Sequence, residues 1–357
     1  MSGLKKKFWL RKDPFYVCKI RRKLYCMNCE YKKVGSIILA YPKSFKNNFN
    51  KASNVIEELV GKIPNDINIQ IILSSARDLD ELFDKVGNER AIQPIFIEDW
   101  DEIWLRDCIG FINDSKLVKP IYFPMYCDYR FRWKYFKKIN QLSKEVIASF
   151  IGKEMIDIPL IWDGGNLINN HQYGLMTSKI IEDNPSFSKF YIERMVQEYL
   201  GIKPIVIPRQ KEDVIGHIDG FASFVNDSKL AVSLYPNLPF LKEDNIYLDE
   251  ILSIADNIDL ETVRIHDRPI DQSIKCQCKK KNRSGCYTVS KGIYINNIIL
   301  NNTVILPQYT LPTRRETDFY NQVNKEIYEQ NGFKVETVNC DALSQFGGSL
   351  HCLSFIH

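Results

Sequence analysis

The final turn of the chain reads Phe346-Gly347-Gly348-Ser349-Leu350-His351-Cys352, and Cys352 stands five residues before the last of 357. Chain ends usually fray, so a Gly-Gly turn that delivers a His-Cys pair there needs a reason. Two upstream segments supply one: Trp104-Leu105-Arg106-Asp107 and Gly216-His217-Ile218-Asp219. Together they offer a thiol nucleophile, an imidazole and two carboxylates. That set equips a protein for covalent attack on a cationic planar carbon such as a guanidinium, whose N–H groups carboxylates hold and orient.

The roles follow from the residue types. Cys352 is the expected nucleophile. A free thiol ionises near pH ~8.5, and a bound guanidinium can supply the positive charge that lowers this. His217 is the expected general acid, protonating departing ammonia, and then the base that activates water. Asp107 and Asp219 match the donor fork of the cation and stabilise a positive adduct. Asn296 is a candidate polar contact to substrate or to the frame of the site, and Trp104 a candidate pocket wall, as is Trp162. Asp163 and Asn166, flanking Gly164-Gly165, are expected to shape a tight turn near the site. Arg106 would repel a cationic substrate, so it is expected to turn away into an internal ion pair. His351 is given a structural role, because neighbours in an extended chain point to opposite faces.

These groups need elements to position them. Short β-branched runs alternate with amphipathic stretches. Strands are predicted at Gly35–Ala40, Ile69–Leu73, Ile103–Arg106, Leu160–Trp162, Ile205–Pro208, Phe221–Val225, Leu230–Ser233, Thr262–Ile265, Ile293–Ile295 and Thr303–Pro307. Apolar residues at three- and four-residue spacing predict helices within Phe45–Gly61, Leu142–Ile151, Ser188–Leu200 and Asp318–Gly332. The recurring rhythm of strand, strand and helix suggests an α/β domain built from modules.

Composition bounds the rest. A hydrophobic fraction of 45% is enough for a full core. No run of about 18 apolar residues predicts a membrane helix, and the N-terminal residues lack the apolar stretch of a signal peptide. A cytoplasmic protein with no membrane partner is expected. Ten cysteines are then read as reduced thiols and a nucleophile rather than a disulfide framework. Cys26-x-x-Cys29, with Cys276, Cys278 and Cys286, invites a metal; the irregular second cluster argues against one, and no metal or cofactor is called for. The formal charge of +4 is uneven: residues 1–29 carry +8, which leaves the remainder at −4. A basic extension over 1–29 and a mildly acidic body over 30–357 are the expected divisions. The arm is a solvated tail or a contact for an acidic partner or nucleic acid, and Lys279-Lys280-Lys281-Asn282-Arg283 reads as an exposed basic loop.

Taken in order, the motifs resemble those of the guanidine-modifying (pentein) superfamily, in its branch of agmatine deiminases and bacterial-type peptidylarginine deiminases. The resemblance rests on Glu30-Tyr31 with Leu39-Ala40-Tyr41-Pro42, Trp104-Leu105-Arg106-Asp107, Asp163-Gly164-Gly165-Asn166, Gly216-His217-Ile218-Asp219, Tyr294-Ile295-Asn296 and the closing Gly-Gly-x-x-His-Cys. It implies a five-bladed α/β propeller with the site at its centre. It also implies hydrolysis of the guanidinium of agmatine or of an arginine residue to a ureido group, through a Cys352 thiouronium. The family usually continues Arg-Asp-x-Gly-Pro, whereas this chain has Asp107-Cys108-Ile109-Gly110-Phe111, so the turn behind Asp107 must differ. Amidino transfer through the same adduct, and a binding protein on a chemically silent scaffold, are the competing readings. The absent export signal favours a small cation such as agmatine. The Gly-Gly-Asn element and Thr177–Pro185 look closer to the peptidylarginine branch. Oligomeric state is not legible.

Overall fold

The computed structural model describes residues 27–45, 49–87, 90–113, 116–126, 133–211, 213–270 and 290–357. Residues 1–26, Cys276, Cys278, Cys286 and the basic loop at 279–283 lie outside the described residues.

Among the described residues sixteen strands make five separate sheets. The first joins β1 (Ser36–Ala40), β2 (Asn68–Leu73) and β3 (Ile92–Phe96), all parallel. The second is β4 (Phe111–Ile112), β5 (Lys116–Ile121) and β6 (Glu154–Ile161), and the third β7 (Ile168–Asn169), β8 (Tyr173–Thr177) and β9 (Lys203–Ile207). The fourth is β10 (Ala222–Phe224), β11 (Lys229–Leu234) and β12 (Glu261–His266), and the fifth β13 (Ile298–Leu300), β14 (Thr303–Gln308) and β15 (Lys334–Asn339). In sheets two to five a short strand runs antiparallel to a middle strand, which pairs in parallel with the third.

The first sheet obtains its short strand from the other end of the chain. β16 (Phe355–Ile356) pairs antiparallel with β1, setting Ile37 opposite Ile356 and Ile38 opposite Phe355. This strap explains why the last turn is ordered: residues after Cys352 are an edge of the first module. Five sheets of one repeating type, tied end to end, fit the expected five-blade arrangement.

Each parallel pair requires a crossover, and a helix supplies it every time. Ser53–Lys62 links β1 to β2, Lys189–Leu200 links β8 to β9, Lys242–Asn257 links β11 to β12, and Arg314–Gln330 links β14 to β15. A helical stretch from Trp133 to Ile151, with one π turn at Ser143–Ile147, links β5 to β6. The caps are written in the sequence. Ser188 accepts from the Tyr191 amide, and Gly201 closes that helix in the left-handed region at φ 75°. Thr313 accepts from the Glu316 amide while donating to its carboxylate.

Strands β1, β5, β8, β11 and β14 carry the core. Ile37 to Leu39 and Leu230 to Val232 are fully buried, as expected where helices cover a parallel pair. Each such aliphatic side chain contributes about 1.5–3 kcal/mol by leaving water. Met27 is buried and bridges to Asn113.

Two predicted strands are corrected. Ile103–Arg106 is not extended; Leu105–Ile109 is a helical turn, started by the buried carboxylate of Glu102 accepting from the Ile103 and Trp104 amides. That turn absorbs the extra residue after Asp107, and Gly110 ends it at φ 130°, where a side chain would strike the Val118 carbonyl. Ile293–Ile295 is a loop held by Asp267, which accepts from the Tyr294 and Ile295 amides; the strand begins at Ile298.

Candidate active site

The turn just ahead of the short strand of every module carries one element of the site. Leu105–Ile109 precedes β4 and holds Asp107. The 3-10 turn Gly164–Asn166 precedes β7, and the 3-10 turn Ile218–Gly220, with His217 at its start, precedes β10. The Asp267-bound loop carrying Asn296 precedes β13, and the short helix Leu350–Leu353 carrying Cys352 precedes β16. Neighbouring turns touch: Leu350–Leu353 packs on Leu105–Ile109, that on Gly164–Asn166, and that on Ile218–Gly220. Asn296 completes the circuit, donating to the Asp219 carbonyl at 3.1 Å and receiving the Cys352 thiol on its Oδ1 at 3.4 Å. Five segments far apart in sequence thus meet at one centre.

Gly165 marks that centre. A methyl group placed on it would lie 2.9 Å from Asp107 Oδ1, from Asp219 Oδ2 and from His217 Nδ1 alike. Its amide donates to Asp107 Oδ1 at 2.8 Å. Gly164 is equally confined, against the Arg106 carbonyl. Asp107, Asp219, His217 and Asn296 are buried, and Cys352 is partly exposed.

The electrostatics suit a cationic ligand. Burial, with the negative fields of Asp219 and Asp107, pushes the Cys352 thiol well above its ordinary range. At neutral pH it rests as S–H, needing positive charge beside it to ionise. Burial also raises Asp107 to about 7, with Asp163 and Asp219 adding to the rise and His217 opposing it. His217 is raised to about 9: burial opposes its charge, but Asp107 and Asp163 outweigh burial. It is therefore an imidazolium at neutral pH, the state a proton donor requires.

Asp163 was expected to shape a turn, and it sits nearer the chemistry than that. Its Oδ2 lies 3.1 Å from His217 Nε2 and 3.0 Å from the buried Lys179 ammonium, which also pairs with Asp183. Desolvation alone would raise Asp163; Lys179 and His217 reverse this and hold it near 2. Asn166 keeps the framing role, with its Oδ1 accepting from the Thr177 amide and hydroxyl. The Tyr126 ring lies edge-on to His217 at 6.2 Å.

Arg106 turns away as expected and pairs with Glu30. His351 lies on a helical turn rather than an extended segment, and it is tied to the site. Its Nδ1 is 2.7 Å from Asp219 Oδ2, and its Nε2 is 3.0 Å from Glu30 Oε2. Trp104 is partly exposed and lies over Gly348, where a side chain would collide with the indole; Trp162 is a core residue stacked near Phe111. Glu30 went unassigned in the sequence because its only signal was a place in an acidic-aromatic pair.

Cys29, Cys108 and Cys340 are buried, Cys29 with its sulfur 3.7 Å from His171 Nδ1, and among the described residues no trio of His, Cys, Asp or Glu is arranged to hold a metal ion. Among the described residues no helix is long and apolar enough to cross a membrane.

Turns from five modules thus bring a thiol, an imidazole and two carboxylates to one centre. A profile of the Porphyromonas-type peptidyl-arginine deiminase family matches residues 26–355, and the chain belongs to that family. A Selenomonas ruminantium protein provisionally named an agmatine deiminase is 24% identical over 239 residues; the match takes in 60% of this chain and 62% of that relative. The fold is shared with the agmatine deiminase of C. jejuni, at TM-score 0.70 and 18% identity over 93% of this chain and 96% of that one. It is also shared with that of Enterococcus faecalis, at TM-score 0.72 and 17% identity over 93% and 95%.

Proposed function

We propose that this protein is a guanidine deiminase, a hydrolase that converts the guanidinium of agmatine or of an arginine residue to a ureido group and ammonia. The observation that carries the reading is the convergence of Asp107, Asp219 and His217 on Gly165, with a protonated Cys352 facing the two carboxylates. Such a thiol is held inert by the carboxylates until a cation neutralises them.

Asp107 and Asp219 grip the guanidinium N–H groups, and the arriving charge lets Cys352 release its proton to solvent water. The thiolate adds to the guanidinium carbon, and the tetrahedral adduct expels ammonia as His217 delivers its proton to the leaving nitrogen. The thiouronium left on Cys352 is again a cation between two carboxylates, so the clamp that bound substrate stabilises the intermediate. His217, now neutral, takes a proton from water as the water adds. Collapse breaks the C–S bond, the hydroxyl proton passes to the departing sulfur, and the ureido product leaves a restored Cys352 thiol. Asp163 keeps His217 oriented and charged, and Asn296 aims the sulfur. Trp104 walls the substrate channel beside the Gly347-Gly348 turn.

A small guanidino substrate agrees with the substrate-bound form reported for the C. jejuni protein, and the family name supports an arginine residue in a peptide. The catalytic body is assigned to residues 30–357, with the basic arm outside it. The deciding assay incubates the protein with agmatine, free arginine and an arginine-containing peptide, scoring ureido product and ammonia against Cys352→Ser. Product from one substrate, lost in the variant, supports the reading and sets the substrate class. An amidino group transferred to an added amine without free ammonia would replace deimination by transfer, and silence on all three would reject it.

A further inference from the structure

Three motif residues touch no reacting atom: Glu30 of the acidic-aromatic pair, Arg106 of Trp-Leu-Arg-Asp, and His351 of the closing His-Cys. They form one chain behind the site. Asp219 Oδ2 meets His351 Nδ1 at 2.7 Å, His351 Nε2 meets Glu30 Oε2 at 3.0 Å, and Glu30 Oε1 pairs with the Arg106 guanidinium. We propose that Glu30 and His351 are positioning residues for Asp219: an alternating-charge relay, anchored by Arg106, that holds this carboxylate aligned beside Asp107 to clamp the substrate guanidinium. The inference rests on the deiminase reading above.

The geometry makes His351 a dication-free bridge with only one suitable state. Both ring nitrogens face carboxylates, and a neutral imidazole has one N–H, so the ring must carry two. His351 is thereby a fixed cation. Burial and the nearby Arg106 disfavour its charge, yet Glu30 and Asp219 together raise its pKa. Desolvation of Glu30 is outweighed by Arg106 and His351, which hold it near 2. The relay reads minus, plus, minus, plus from Asp219 outward, so neither internal carboxylate is left without a counter-charge.

The need for it lies in the site. Asp107, Asp163 and Asp219 crowd one centre, and the first is already pushed up by burial, with Asp163 and Asp219 adding to the rise. Asp163 has Lys179 for company, but Asp219 has no Lys or Arg in direct contact among the described residues and relies on His351. The relay also fixes the nucleophile's neighbourhood, because His351 and Cys352 share the Leu350–Leu353 turn. Its outer end lines a small cavity of about 50 Å³, together with Gly164 and Phe355.

The test compares Glu30→Gln with wild type. The Gln is nearly isosteric but cannot hold His351 as a cation through its amide. Two reagents label Cys352: iodoacetamide, which is neutral, and chloroacetamidine, whose planar amidinium needs the carboxylate clamp. The expected result is a fall of about tenfold or more in the chloroacetamidine rate, with the iodoacetamide rate within about twofold. The KM for the guanidino substrate should rise about tenfold with kcat little changed, because substrate and adduct are both cations and lose the same binding. Equal slowing by both reagents, which general damage would give, overturns the proposal, as does an unchanged ratio. Should Glu30→Gln fail to give a cooperative melt, Glu30→Asp, which draws the carboxylate back from His351 Nε2, is read by the same ratio; an unchanged value there also overturns it. Wild-type silence on the three substrates would reject the deiminase reading alone, since the labelling ratio does not depend on turnover.

Discussion

Gly165→Ala is the sharpest perturbation the site allows. The added methyl would lie 2.9 Å from Asp107 Oδ1, Asp219 Oδ2 and His217 Nδ1 at once. Carbon meets such atoms comfortably at roughly 3.5 Å, so each of three groups must retreat by about half an ångström. All three are buried, and two are hydrogen-bonded to further groups, so the retreat spreads to Asp163 and His351. Misplacement of catalytic groups by about 1 Å costs on the order of 10²-fold. Half that displacement in three groups is expected to lower kcat/KM about 100-fold. Overpacking costs about 1–3 kcal/mol of stability, which leaves the protein folded. Gly61→Ala is the matched control: it lies in the Ser53–Lys62 helix, its methyl meets nothing within 4 Å, and it should stabilise by about 0.5–1 kcal/mol. Steady-state ureido formation at several substrate concentrations, with thermal melts of both variants, gives the answer. A Gly165→Ala enzyme within about threefold of wild type would refute the placement of the reacting carbon at this hub.

Other consequences follow from the charges. His217, raised to about 9, must be protonated to release ammonia, so kcat/KM, which reports the free enzyme, should hold at neutral pH and fall as pH rises through about 9; a profile without that alkaline limb would contradict the assignment. The same shift is a stability term: its contribution is full below about 6.5, is lost as pH rises through about 9, and amounts to about 3 kcal/mol at most, which urea melts across that window would read. Asp163→Asn should bring the alkaline limb to lower pH and cut kcat about 100-fold, since the imidazolium loses its nearest carboxylate. Lys179→Met leaves Asp163 and Asp183 buried without their shared cation, and should cost about 3–5 kcal/mol in a denaturant titration.

The sequence disclosed the site better than the scaffold, and the structure explains why. Each motif is the turn before a short strand, where a few polar residues must sit at fixed places on the hub whatever the rest of the module does. Asp107, His217, Asp219, Asn296 and Cys352 were therefore legible as types and spacings. The short strands were not: β4, β7 and β16 are two residues each, too brief for any periodicity to register. Ile103–Arg106 looked extended from its apolar residues, but buried Glu102 accepts from the Ile103 and Trp104 amides and bends the chain into a helical turn. The helix Ala76–Val86 was missed because charges dominate its exposed face; its start at Ser75, accepting from the Asp78 amide, was a readable signal. Asp163 and Glu30 depend on partners 54 and 321 residues away, and local spacing holds no record of such pairs.

The most direct test of a covalent deiminase is to trap its intermediate. Wild-type protein mixed with excess agmatine or arginine peptide, quenched in acid within milliseconds and digested, is examined by peptide mass at the segment containing Cys352. The mechanism predicts a transient thiouronium on Cys352 alone, decaying as ureido product and ammonia appear in equal amounts, and absent from Cys352→Ser. Product formation with no Cys352 adduct, or undiminished turnover by Cys352→Ser, would contradict it.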